Sequence, residues 1–596
     1  MTTATTTFDS PFSHLLSSNY AASDSDVPLV KAIITSSSDT LRRLNSKVQK
    51  LQTALRELEQ KRNSVQIWID AHRALLSPSR RLPAELLSEI FAHCLPRDRN
   101  PNCSQSEAPI LLGRVCRTWR QVSLSTPYLW ASIHIVLPIR ASRSVILSWI
   151  DARREGVETW LGRSGSLPLS ISVTDWTSTS YGSRDDSITE WTLTSHGPRD
   201  DSVLEHIRLF LGCIFRRSSR WHTVQLHLNR DCTSMLLECW PWGGTKELPL
   251  LHTFKLRFLA GTWHSYPEFE YKWLAKAPRL QRLSLRHGDL GGLLEQQFAW
   301  AQISHLEFQA RNIRLSSIIK VLRQCSLLQS LTVGGLGSRA DTLPDSIQTI
   351  SLPSLRSLSI AGQIGLADHA SPVDVRNIFA YLDAPALRCL RVTVTSTRIA
   401  SFGCIPFIGL LGPGNQIEEL DINIQYDLLG NILSLLPNLS IARIRSRLLD
   451  DTLLRRLTPS PSQDEPLCPS LTQLYLLGHI SITNDEHLLD LARSRWNSAT
   501  LPSSHTTARH GGIARLVSFH VLLNRYEQTP SLQDQLQELR THGMDIIFAC
   551  WGETRMGPSY GQVVDEDNID PYITYSRYSN QILSEMTRKH SWWLWD

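Results

Sequence analysis

The sequence predicts a multidomain chain, an all-α N-terminal part followed by an α/β solenoid. Three observations predict it. Apolar residues fall at steps of three and four from Leu41 onward, and two short amphipathic segments punctuated by proline occupy 80–133. Between residues 221 and 471, a strand-like pattern returns every 22 to 32 residues. A chain of 596 residues is long enough to bury a large core and to hold several domains.

Residues 1–40 contain 16 Ser or Thr and no sustained periodicity, which predicts a disordered tail. They show no basic stretch leading into an apolar one, so they do not read as a secretory signal. The densest apolar run, Ile546 to Trp551, is far short of the roughly 20 residues a membrane span needs. The expectation is a soluble protein, cytoplasmic or nuclear, that engages no membrane. The net charge of +5 over 61 basic and 56 acidic residues indicates no nucleic-acid partner. Eleven cysteines without a C-x-x-C pair fit reduced thiols. His93, Cys94, Cys103 and Cys116 lie close in sequence but match no metal-ligand spacing, and Cys94 and Cys116 fall on apolar faces, so buried thiols are expected. No metal and no cofactor is expected.

Residues 41–76 read as one helix. Leu41, Leu44, Val48, Leu51, Leu55, Leu58, Val65 and Ile69 alternate steps of three and four, with Arg, Lys, Glu and Gln between them. Arg62 and His72 fall on the same stripe and weaken its C-terminal half as a dry seam. Two readings stay open at this point, a homodimer through 41–76 or a helix packed in cis on the next domain.

The stretch "RRLPAELLSEIFAHCLP" at 80–96 predicts a helix with Pro83 in its first turn, where the missing N–H costs nothing. Leu82, Leu86, Leu87, Ile90, Phe91 and Leu95 give it an apolar face too wide for so short a helix. In "PILLGRVCRTWRQVSLSTPYLWASI" at 109–133, residues Leu111, Leu112, Val115, Cys116, Trp119 and Val122 make a second helix. Ser125-Thr126-Pro127 ends it, and Leu129-Trp130 adds an anchor. About fifty residues lie near the lower limit for an independent core, so leftover apolar surface is expected to meet a partner.

The spelling "LPAELLSEIF", then "LLGRVCRTWRQVS", then "LW" resembles the F-box, the helical module that docks substrate receptors on the Skp-type adaptor of cullin–RING ubiquitin ligases. The preceding heptad helix, "ALLSP" and "LSTPYLWASI" resemble the large F-box group of mushroom-forming fungi. The resemblance covers about residues 41–135, with the module itself at 80–135. It departs from the pattern in a polar insert, "RDRNPNCSQSEA", between the two helices, which lengthens the loop. What it implies is adaptor contact through Leu82, Pro83, Leu86, Ile90, Phe91, Val115, Trp119 and Trp130. Leu82, Pro83, Leu86 and Ile90 are the foremost of these, while the two tryptophans hold the module together.

After a linker region at 136–215, the segment 216–550 repeats an apolar residue, two others, an apolar residue, one other, and an apolar residue. It is spelled "LHTFKL" at 251, "LQRLSL" at 280, "ISHLEF" at 303, "LQSLTV" at 328, "LRSLSI" at 355, "LRCLRV" at 387, "IEELDI" at 417, "LSIARI" at 439 and "LTQLYL" at 471. "WHTVQL" at 221 and "LVSFHV" at 516 are outlying members. Pro249, Pro278, Pro353, Pro385, Pro437 and Pro469 precede six of them by two residues and are expected to end a preceding helical segment. Each unit supplies a strand that cannot bury its apolar residues alone, so the units must stack. The period resembles that of leucine-rich repeats, although the usual asparagine after the last apolar position is mostly missing, as at Gly288, which predicts an irregular arc.

If the residues between the apolar positions line a concave face, it begins basic with Lys255, Arg257, Arg282 and Arg286 and passes His305 and Glu307. It becomes uncharged through Ser330, Thr332, Ser357 and Ser359, and ends mixed with Arg391, Glu419, Asp421, Arg443 and Arg445. A target protein with an acidic or phosphorylated segment is expected at the basic end, because guanidinium forks suit carboxylate and phosphate.

Two echoing segments, "TDWTSTSYGSRDDS" at 174–187 and "TEWTLTSHGPRDDS" at 189–202, read as a duplicated loop within the linker region. Residues 551–596 form a separate C-terminal segment. No cysteine has a neighbourhood that predicts an activated nucleophile, "GGLGSR" at 334–339 is not a phosphate loop, and "GRSGS" at 162–166 is out of register for a serine elbow. The chain is therefore expected not to be an enzyme. The function expected is a substrate receptor of a cullin–RING ligase that docks the adaptor through 80–135 and a protein target through the repeats. The alternative is a scaffold that takes no part in ubiquitination.

Overall fold

The structure, a computed structural model, describes residues 10–19, 21–137, 143–175, 201–228, 247–258, 271–286, 290–294, 298–336, 348–364, 376–396, 407–423, 429–445, 451–459, 467–477, 485–497, 513–523 and 530–550. The C-terminal segment 551–596 lies outside them, as does the duplicated loop except for its ends. The chain divides into two compact units, 1–87 and 88–596.

The first unit is dominated by α1 (Val27–Leu75), a helix of 49 residues of which none is buried. It begins at Val27 rather than Leu41, so 27–40 is helical instead of part of a disordered tail. Pro28 lies in the first turn, and the Asp26 carbonyl accepts the first helical bond from the Val30 N–H at 3.0 Å. The hydroxyl-rich composition concealed this helix. Thr35 and Thr40 return their hydroxyls to the carbonyls of Lys31 and Ser36, four residues back, at 2.8 and 3.0 Å. Pro78, just past Leu75, stops the helix.

The division between the units falls inside α2 (Ala84–His93). The second helix of the F-box-like stretch is in fact two pieces, a 3-10 turn at Leu112–Arg114 and α3 (Arg117–Ser125). The break comes at Cys116, which is fully extended (φ −158°, ψ 174°) and whose Sγ accepts the Trp119 N–H at 3.4 Å as a cap.

Sixteen strands follow among the described residues: β1 (Ser132–Leu137), β2 (Leu169–Asp175), β3 (Trp221–Leu228), β4 (Thr253–Phe258), β5 (Arg282–Arg286), β6 (His305–Ile313), β7 (Ser330–Leu336), β8 (Ile350–Ser351), β9 (Ser357–Ile364), β10 (Leu382–Asp383), β11 (Cys389–Ser396), β12 (Glu419–Asn423), β13 (Ile441–Arg445), β14 (Gln473–Leu477), β15 (Ser518–Leu523) and β16 (Asp545–Cys550). Fourteen of them form one sheet in chain order, every neighbouring pair parallel, while β8 and β10 pair separately. All eleven repeat motifs fall on strands of this sheet.

The expected linker at 136–215 does not exist as such. β1 and β2 are the first two strands of the same sheet, and between strands run α4 (Arg143–Arg163) and α5 (Asp201–Phe215), joined through Trp149 and Phe210 with ring centroids 5.5 Å apart. β2 alternates with period two but lacks the lead-in of the later strands, whereas Trp130, Ile133 and Ile135 spell it at β1 as Trp221, Val224 and Leu226 do at β3.

The recurrent prolines sit elsewhere than expected. The first apolar residue of each of those six motifs donates its N–H three residues back, as in Leu251 to Leu248, Leu280 to Ala277, Leu355 to Leu352 and Leu471 to Cys468, at 3.1 to 3.2 Å. Each proline is therefore the second residue of a β-turn, where a preset φ is favourable, and not a helix stop. Past the turn, alternate side chains enter a dry core: Leu283, Leu285, Leu306, Phe308, Leu331, Val333, Leu358 and Ile360 are at most 1% exposed. The other row lies on the opposite, polar face. Arg495, fully buried, closes one connection by donating to the carbonyls of Leu457, Leu467 and Cys468.

Candidate functional site

Two surfaces follow from this frame. On α2 the wide apolar face divides into two rows. Leu87 and Phe91 are buried at 2% and 0%, whereas Leu86 and Ile90, one turn apart, are 53% and 43% exposed. Pro83 is exposed and Leu82 half-buried. The Pro83 carbonyl accepts the N–H of Leu87 at 3.0 Å, so the proline flanks the helix as its cap residue, one position before the first turn in which it was expected.

Within the second unit, the ring of Phe91 meets that of Trp119 at a tilt of 57°, centroids 4.9 Å apart. Trp130 is 2% exposed, donates its indole N–H to the Ser123 carbonyl at 2.8 Å, and meets Trp160 of α4 edge-on at 4.9 Å. Phe91 and Trp130 thus have no surface to offer a partner: Trp130 packs inside the module, and Phe91, expected at adaptor contact, is corrected to support of the module. Val115 does lie outside, 58% exposed. With Leu111 and Arg114 it lines an open groove of about 570 Å³ whose other side is Ser104, Gln105 and Ser106 of the polar insert. Leu124 and Tyr128, 41% and 61% exposed, are further apolar side chains on the surface that the sequence reading does not single out.

The insert is more than a longer loop. Arg99 grips Glu107 with two bonds of 3.0 and 2.6 Å, and Glu107 also accepts the Asn102 N–H at 3.0 Å. Burial opposes ionisation of Glu107, but the Arg99 fork and that N–H outweigh it and hold the carboxyl below the usual range. Asn100 exchanges bonds with Ser170 and Ser172 of β2 at 2.9 and 3.1 Å, and the Pro101 carbonyl accepts the His134 N–H at 2.7 Å. Asn102 makes a parallel bridge to His134, so the insert covers the open edge of β1. The predicted burial of Cys94 and Cys116 fails, for both thiols are exposed, and no group of three metal-ligating side chains occurs among the described residues. None of the described helices is long and apolar enough to cross a membrane.

The second surface is the polar face of β3 to β6. The register sets Lys255 beside Ser284, Arg257 between His227 and Arg286, and Arg282 between Thr253 and His305. All four predicted cations therefore gather on two adjacent strands. They are not equivalent. Arg286 lies 2.6 Å from Glu307, whose side chain is only 5% exposed and also accepts from Ser284 at 2.6 Å. Arg286 is thereby held in place as part of the face. Burial pushes the Lys255 amine down, and Arg257 is exposed. Burial, followed by the fields of Arg257, Lys255 and Arg286, lowers His227 to about 4. His305 also falls to about 4 through burial and then Arg282 and His252. Four cations against Glu307 leave this face positive and both imidazoles neutral near pH 7.

The far end of the face neutralises itself. Glu419 lies 2.5 Å from Arg443 and 3.4 Å from Arg391, and Asp421 is buried beside them. Compared with protein-family models, the chain matches none, and no curated protein matches it.

Proposed function

We propose that this chain is a non-catalytic substrate receptor of a cullin–RING ubiquitin ligase. The α2 surface docks a Skp-type adaptor and, through it, a cullin, while the parallel sheet acts as an irregular leucine-rich-repeat-like arc that holds a protein target. Proximity is the mechanism: a target held beside a charged conjugating enzyme has its lysines at high effective concentration. The observation that carries the reading is the exposed pair Leu86 and Ile90, one turn apart on a helix whose other row is buried, within a segment spelled like an F-box. Apolar residues of this size that a folded chain leaves outside mark a contact surface. Val115 and the groove beside it extend the same apolar character within the second unit.

At the other surface the target supplies an acidic or phosphorylated segment to Arg257 and Arg282, with Lys255 beside them and Arg286 fixed by Glu307.

The test is capture of the full chain by purified Skp-type adaptor, comparing wild type with Leu86→Asp/Ile90→Asp. The expected result is retention of the wild type with cullin in the complex, and loss of the variant with an unchanged circular dichroism spectrum. Failure of the wild type to bind overturns the adaptor reading. Binding without cullin moves the protein to the scaffold class.

A further inference from the structure

Helix α1 presents a continuous apolar stripe to the outside. Leu41, Leu44, Val48, Leu51, Leu55 and Leu58 are each 50–70% exposed, and no residue of the helix is buried. The period of the stripe identifies what covers it. A straight α-helix drifts by about 20° per heptad against a strict seven-residue repeat, so a face packed on a globular surface wanders from that register. Here the register holds for four heptads, from Leu41 to Ile69. Such a stripe stays on one side only when its helix supercoils around another of like length and period. The next longest helix among the described residues is α4, with 21 residues, and its Trp149 already packs on Phe210. A second copy of α1 supplies both length and period.

We propose that α1 forms a parallel, in-register, two-stranded coiled coil with a second copy of this chain. Leu41, Val48 and Leu55 take position a, Leu44, Leu51 and Leu58 take position d, and Arg62 takes the next a.

Arg62 sets the direction. In parallel register the two arginines meet in one layer and both snorkel outward, leaving six uninterrupted apolar layers on its N-terminal side. An antiparallel pairing over the same length sets each Arg62 against a Leu51 in mid-seam, and breaks the apolar run twice. The flanking positions agree with parallel pairing, which brings Lys47 to Gln52, Ala54 to Glu59 and Lys61 to Gln66 of the other helix, with no like charges opposed. A single polar residue at an a position is also what selects two strands over three. Dimerisation through α1 does not depend on adaptor docking.

The test uses the full chain and light scattering after gel filtration across the micromolar range. The wild type is expected at twice the 67.4 kDa chain mass. The variant Leu51→Glu/Leu55→Glu is expected at the single mass with its thermal transition intact, because both side chains stand outside the fold. Differently tagged wild-type and Arg62→Glu chains, mixed and re-annealed, are expected to form heterodimers above the statistical share. A wild type at the single or triple mass overturns the proposal, as does a double mass that survives in the glutamate variant. Heterodimers at no more than the statistical share overturn the in-register, parallel arrangement.

Discussion

α1 and the strand ladder draw on the same residues and put them to opposite use. Both are built on leucine at a regular interval, yet α1 buries none of its residues, while the ladder leaves Leu283, Leu306, Leu331 and Leu358 at most 1% exposed. The difference lies in where the covering surface comes from. A ladder strand is covered by its own chain, because the next unit follows within a few tens of residues and stacks beside it. A heptad stripe has no such neighbour in sequence, and its cover comes from another helix. Periodicity thus identifies the element and the row that is apolar, and the distance to the next such row decides whether the protein covers itself.

This contrast can be broken in order of effect. Phe308→Ala, in a ladder position with no exposed surface, is expected to cost about 3–5 kcal/mol of stability, read as a lowered urea midpoint. A smaller loss, roughly 3 kcal/mol, is expected for Arg286→Ala, which removes the ion-pair partner 2.6 Å from the buried Glu307 carboxylate and leaves Ser284 donating to it. Arg257→Ala on the same face removes an exposed cation and is expected to shift stability by no more than about 0.5 kcal/mol. A target-binding assay should respond to Arg257→Ala and show whether the positive face serves a ligand.

The same face responds to pH. His227 and His305 have folded values of about 4 against an ordinary 6.5, so between these limits the unfolded chain binds more protons than the folded one. Their contribution is present above pH 6.5 and is lost as the pH falls through 4. His227→Gln is expected to flatten that part of a stability-against-pH curve measured by urea unfolding. The smallest effect belongs to the outer row of α2: Leu86→Asp/Ile90→Asp should leave the unfolding midpoint within about 0.5 kcal/mol of wild type while abolishing adaptor capture.

Much of this fold was legible in the sequence. The strands that begin at Thr253, Arg282 and Cys389 were visible because a period of two, introduced by a leucine, is imposed by the pleat itself. β2 pairs with the ladder without carrying its lead-in, and β1 carries it with Trp130 in the place of leucine, so a pattern read from leucine shows neither. The start of α1 is hidden by composition, because the Ser and Thr hydroxyls that suggest disorder bond within the helix at Thr35 and Thr40. At the surfaces, residue type identified the apolar face of α2 but not which of its rows turns inward. Leu86 and Leu87 are neighbours of identical chemistry, and only packing separates them. The same limit applies to the four cations, since Arg286 differs from Arg257 through Glu307, a residue of the next strand.

The polar insert has a consequence for how this sheet ends. A row of fourteen parallel strands grows by adding one more strand to a free edge, and any passing extended chain is a candidate. At the β1 edge the insert satisfies the His134 N–H with the carbonyl of Pro101. The next N–H of the insert, that of Asn102, is already taken up by the Glu107 carboxylate at 3.0 Å. In the language of polymerisation, the insert is a chain terminator: it accepts the last bond and offers no equivalent one for propagation.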